Sequence, residues 1–139
     1  MGCGIHLHIE VKIEGDWHHY NHPDVDRYYK LFAKMAGVRN YEEVVPISSP
    51  KGLPSDPTFS TLFDATQWGL DGHSHSYLGA EEVIELYQWI DKEPKVINQG
   101  WFHDNFGWLF GNSFGSFLKY SEDYPTELED FRFVFWFDC

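Results

Sequence analysis

Two histidine pairs, His6-x-His8 in the stretch GIHLHIEVKI and His73-x-His75 in DGHSHSYL, are the residues whose types and spacing imply chemistry most directly. Alternate residues of an extended segment share a face and stand roughly 7 Å apart, so each pair presents two imidazoles to one ligand. Neutral imidazole suits zinc or manganese, and His6, His8, His73 and His75 together make a conceivable four-nitrogen set for a divalent transition metal. The same groups can work without an ion. An unperturbed imidazole titrates near neutrality, so one histidine can donate a proton while another accepts, and phosphodiester cleavage is the reaction that most often uses such a pair. Glu10 has the parity of His6 and His8 and joins the candidate catalytic set. The plainer reading is that these are polar groups on a wetted face.

The elements that must hold these residues are readable from periodicity. In residues 4–13, Ile5, Leu7, Ile9, Val11 and Ile13 alternate with His6, His8, Glu10 and Lys12, the pattern of a strand with one core face. EGDW at 14–17 reads as a hairpin turn into a second strand at WHHY. A helix is predicted from Pro23 to Gly37, carrying Val25, Tyr28, Tyr29, Phe32, Met35 and Ala36. Residues 38–58 hold four prolines and read as an ordered loop with a short strand at EVVPI, followed by a short helix after Asp56-Pro57. GLDGHSHSYLG reads as turn, strand and turn, and AEEVIELYQWIDK as an amphipathic helix. The ending EDFRFVFWFDC alternates Phe131, Phe133, Phe135 and Phe137 against Arg132, Val134, Trp136 and Asp138.

Strong strands at both ends with helices between them predict one α+β domain over residues 1–139: a mostly antiparallel sheet, terminal strands central, helices packed on one face. If the terminal strands are neighbours, Arg132, Trp136 and Asp138 come beside His6, His8 and Glu10. Arg132 and Arg39, with Lys51, are then candidate phosphate contacts.

Composition narrows the ligand. Ten lysines and arginines against twenty-two acidic residues give a formal charge of -12, which repels a long nucleic acid. Aromatic residues make up 19% of the chain, more than a small core needs, and the surplus, including Trp17, Trp68, Trp101, Trp108 and Trp136, suits stacking on a planar ligand. Trp136 and Trp108 are the candidate stacking residues. His18, His19, His22 and His103 read as loop or capping residues. No apolar run of membrane-spanning length and no signal-like segment is seen, so a soluble intracellular protein is expected, with Cys3 and Cys139 as free thiols. The aromatic surplus would also suit a site shared across a homodimer.

MGCGIH, LFAKMAGVRN, KGLP, DGHSHSYL and RFVFWFD together resemble a family of small uncharacterised bacteriophage and prophage proteins, over essentially the whole chain. The chain departs from that pattern at Gly4, where aspartate is expected, and at Gly72, where tryptophan is expected. The resemblance implies a phage origin, the cytoplasm of the host bacterium, and a role against nucleotide-based immunity. Two functions follow as expectations: a phosphodiesterase that opens a cyclic (di)nucleotide, or a non-catalytic sponge that holds a cyclic or ADP-ribose-derived signal intact.

Overall fold

The computed structural model describes residues 2–93 and 129–139. Strands β1 (Gly4–Ile13), β2 (Asp16–Asn21), β3 (His73–Gly79) and β4 (Asp130–Asp138) form one antiparallel sheet in the order β2-β1-β4-β3. The terminal strands are central, as their matching alternations predict. Their register pairs Ile5 with Phe137, Leu7 with Phe135, Ile9 with Phe133 and Val11 with Phe131. Opposite partners share a face, so the aliphatic and phenylalanine rows merge into one apolar surface. All four phenylalanines are buried, each worth roughly 1.5–3 kcal/mol relative to exposure.

That surface is covered by helices α1 (Tyr29–Ala36) and α3 (Ala80–Lys92), whose Phe32, Met35, Val83, Leu86 and Ile90 belong to the same core. The third helix, α2 (Phe59–Trp68), lies on the histidine side of the sheet instead, bonded through Thr61 and Asp64 to Glu10 and His8. This is the structural reason why the second face is not merely wet.

Three local expectations are corrected. Helix α1 begins at Tyr29, not Pro23, because the preceding segment is tied to the sheet: Pro23 is buried and the His22 ring bonds the Leu7 carbonyl at 2.7 Å. It does stop at Gly37, which takes the left-handed conformation at φ 74°. EVVPI is not a strand, since the Asn40 side chain satisfies both the N–H and the C=O of Val44 locally. Cys3 and Cys139 are not free thiols: they extend the β1–β4 register by one step and are joined as a disulfide, with Cα atoms 4.1 Å apart.

Candidate functional site

Helix α2 turns one face to the sheet. Thr61, Asp64, Ala65 and Trp68 recur at the three- and four-residue spacing that aligns side chains on a helix, and they meet Glu10, His8 and His6 in turn. Phe59, Leu62 and Phe63 point outward and are exposed.

At one end of this face the groups are fully committed to each other. Glu10 is 0% exposed and accepts bonds from the Thr58 N–H at 2.8 Å, the Thr61 hydroxyl at 2.9 Å and Arg132 Nε at 2.7 Å. The Arg132 guanidinium also donates to the Asp56 carboxylate and carbonyl, both at 2.9 Å, and lies 3.9 Å over the Trp17 ring. Burial alone would raise the Glu10 carboxyl, but the bonds from Thr58, Arg132 and Thr61 outweigh it and hold its pKa below the ordinary value. Asp56 is lowered too, chiefly by its bond from Arg132. This knot fastens the start of α2 to the two central strands. Glu10 is therefore placed as a structural ion-pair partner, and each of the three Arg132 nitrogens already donates to Glu10 or Asp56.

The other end is different. His8 is 3% exposed, with Nε2 2.8 Å from Asp64 Oδ2 and Nδ1 2.8 Å from His19 Nε2. A carboxylate only accepts, so His8 Nε2 carries the proton, its Nδ1 accepts, and His19 Nε2–H is the donor. Burial foremost, with the neighbouring charges of His22 and His19, pushes the His8 pKa down to about 4 against the bond from Asp64. Burial also lowers His19. His22 stacks flat on His8, with centroids 4.1 Å apart and 4° between planes. Its Nδ1–H donates to the Leu7 carbonyl, which leaves Nε2 as the acceptor nitrogen of the neutral ring, 3.7 Å from Asp64 Oδ2. In that form of the ring two acceptors face each other, an arrangement that a proton or a metal ion between them relieves.

The ligand atoms of His8, His22 and Asp64 all lie within 4.8 Å of one another. Around tetrahedral zinc, ligands bound at about 2.0–2.1 Å stand about 3.3 Å apart, and the observed separations of 2.8 and 3.7 Å bracket that spacing. The outer nitrogens are already held: His22 Nδ1–H donates to a backbone carbonyl, as metal-bound imidazoles usually do, and His8 Nδ1 is bonded to His19.

Trp136 is the floor of the site. It is 0% exposed, with the rings of His6, His8 and His75 stacked around it at 5.9, 5.3 and 5.8 Å. Its Nε1 is, among the described residues, the buried side-chain polar atom without a hydrogen-bond partner. Gly72 permits close approach there, since a Cβ on it would come within 3.1 Å of Trp136 Cδ1 and 3.4 Å of Trp68 Cβ. At the rim, His6 Nε2 meets Asp138 Oδ1 at 3.1 Å and its ring lies 4.0 Å from Trp68. The same Asp138 oxygen lies 2.7 Å from where a Cβ on Gly4 would stand, so a carboxylate reaches His6 from across the strands although residue 4 has none.

The structure thus brings together His6, His8, His75 and Trp136, and separates His73 from them. A register shift in β3, with Ser74 at φ 56°, lets His75 join the Trp136 side while His73 pairs with Phe137 and approaches Cys3 and Cys139. The four histidines of the two His-x-His pairs do not form a common ligand set. Arg39 lies beyond α1, bonded to the Tyr41 hydroxyl and over the Tyr29 ring. Lys51 pairs with Glu82 at 2.6 Å. Trp101, His103 and Trp108 lie outside the described residues.

Sequence reasoning missed Asp64, His19 and His22. His19 had a usable signal, because in a tight hairpin it falls nearly opposite Glu10; Asp64 had none until α2 was placed.

No family model matches the chain, and no curated protein or solved structure matches it either. The described helices include none long and apolar enough to cross a membrane.

Proposed function

We propose that the protein is a small phosphodiesterase-type hydrolase whose centre is His8, His22 and Asp64, holding a divalent transition metal, zinc or manganese. The observation that carries this reading is the convergence of His8 Nε2, His22 Nε2 and Asp64 Oδ2, with the far nitrogen of each ring already bonded. Bound there, the ion would supply Lewis acidity and a hydroxide drawn from water. The residues do the rest. With His8 Nε2 given to the ion, the His8–His19 hydrogen bond reverses, so that His8 Nδ1–H donates to His19. His6, paired with Asp138, would protonate a leaving oxygen.

A cyclic (di)nucleotide is the substrate class that best suits these parts. Arg132 and Lys51 are occupied by carboxylates, so the charge facing a phosphodiester would come from the ion, and the overall charge of -12 disfavours a long polymer. The His6–Trp68 pair offers ring surface for a base. The phage resemblance adds a purpose, removal of a nucleotide immune signal in the host cytoplasm.

The test is incubation with a panel of cyclic dinucleotides and ADP-ribose derivatives, read by mass. A linearised product that EDTA abolishes and zinc or manganese restores is expected. Ligand bound but recovered intact after heat denaturation would replace the hydrolase with a sponge, and a panel neither cut nor bound would overturn both.

A further inference from the structure

We propose a second metal site at the end of the sheet remote from the Glu10–Arg132 knot: with the disulfide reduced, Cys3, Cys139 and His73 bind one zinc-like ion. The three residues come from the start of β1, the end of β4 and the start of β3, and their ligand atoms lie within 4.8 Å of one another. Cys3 and Cys139 are directly opposed across the central strand pair, with Cα atoms 4.1 Å apart, and the Cys3 backbone is anchored by its N–H bond to the Tyr29 hydroxyl at 3.1 Å. His73 is brought to them by the same irregularity in β3 that takes it away from His75, and its Nδ1 is oriented by the Ser74 hydroxyl at 2.9 Å.

Two thiolates and one imidazole are the donor set of an open zinc site, with a fourth position for water. Tetrahedral zinc holds two sulfurs about 3.8 Å apart, a spacing that two unbonded sulfurs on facing residues reach by small side-chain rotations. The chemistry balances simply. A phosphine reductant gives two electrons to the S–S bond, one water supplies the oxygen of its oxide and the two protons of the thiols that form, and binding of the dication releases both thiol protons to solvent. In a reducing cytoplasm the pair is held as thiols, so the metal-binding form is the one that would operate there. Its consequence is a clamp: one ion would tie three strands, including both ends of the described chain, and its binding energy adds to folding.

The test uses the full chain, metal-free, in the phosphine TCEP, titrated with cobalt(II). A near-ultraviolet sulfur-to-cobalt charge-transfer band with the final amplitude of one dithiolate-bound ion per chain is expected; it should be absent from the oxidised protein and lost or greatly reduced in Cys139→Ser. His73→Ala should weaken that binding by at least about tenfold, on the scale of lost metal contacts, while keeping the fold by circular dichroism. Absence of the band from the reduced parent would overturn the proposal, as would an unchanged titration in His73→Ala. The charge-transfer band reports sulfur alone, so its final amplitude separates this site from the His8–His22–Asp64 centre, which contains none and whose uptake of cobalt alters only the total bound.

Discussion

Two clusters on one face of one sheet, centred on His8 and Glu10 of the same strand, have opposite characters. Around Glu10 and Arg132 every charged group meets a partner of the opposite kind, and the bonds run from strand to strand and into the loop before α2. Around His8 burial is uneven, His8 being enclosed and His22 exposed; His22 Nε2 stands 3.7 Å from the Asp64 carboxylate, too far for a hydrogen bond, and the Trp136 N–H has no partner. The first cluster is complete in itself and the second is complete only with something added. What separates the two clusters is the satisfaction of their hydrogen-bonding groups.

The largest expected effect is at the knot. Arg132→Ala leaves Glu10 buried and unpaired, which should cost about 3–5 kcal/mol, read from the midpoint of a urea melt. A loss under about 1 kcal/mol, the usual worth of an exposed pair, would break the contrast.

Next is the dependence of stability on pH, measured in EDTA. His8 titrates at about 4 in the folded chain against 6.5 ordinarily, so between those values the unfolded chain binds a proton that the folded chain does not. The stability due to neutral His8 is therefore whole above pH 6.5 and lost as the pH falls toward 4. At about 1.4 kcal/mol per unit, that loss is about 3 kcal/mol, and His8→Gln should flatten it. Glu10, whose pKa is lowered, contributes in a lower window: its share is present above 4.5 and disappears only as the pH falls through its folded value. Melts at successive pH values separate the two regions, and an unchanged slope in His8→Gln would merge them.

A smaller effect is expected from His19→Ala, which removes the partner of His8 Nδ1 without touching an ion. Zinc affinity should fall about 10–100-fold, the usual range for such outer partners. Affinity equal to that of the parent would show that His19 does not orient His8.

The smallest is the stability change of His22→Ala. His22 is exposed and its ring caps the cluster from outside, so metal-free stability should move by no more than about 0.5–1 kcal/mol. A larger change would make His22 a structural group like those of the knot.

Much of this was readable from alternation alone. Matching parities at the two ends of the chain predict the β1–β4 pair, and with it the meeting of His6 with Trp136 and of Glu10 with Arg132. The same register, carried one residue further, would have faced Cys3 with Cys139 and corrected the expectation of free thiols. Other features were not local. Asp64 reaches His8 only because α2 crosses the second face, a choice made by packing rather than by the helix's own periodicity. His22 looked like a helix-preceding loop residue, since nothing in the text shows that its ring would reach the Leu7 carbonyl. A positive φ at Ser74, a conformation uncommon for residues other than glycine, redirected His73 against the simple period of a strand.

The most direct test of the contrast is calorimetric titration of zinc into the oxidised, metal-free chain, in which the cysteine sulfurs are bonded to each other and only the histidine centre is open. One ion per chain is expected, with binding weakened by at least about a hundredfold, beyond the usual cost of an outer partner, in Asp64→Ala and in His22→Ala. Absence of binding by the parent, or parent-like affinity in Asp64→Ala, would contradict the assignment of this cluster as a metal centre.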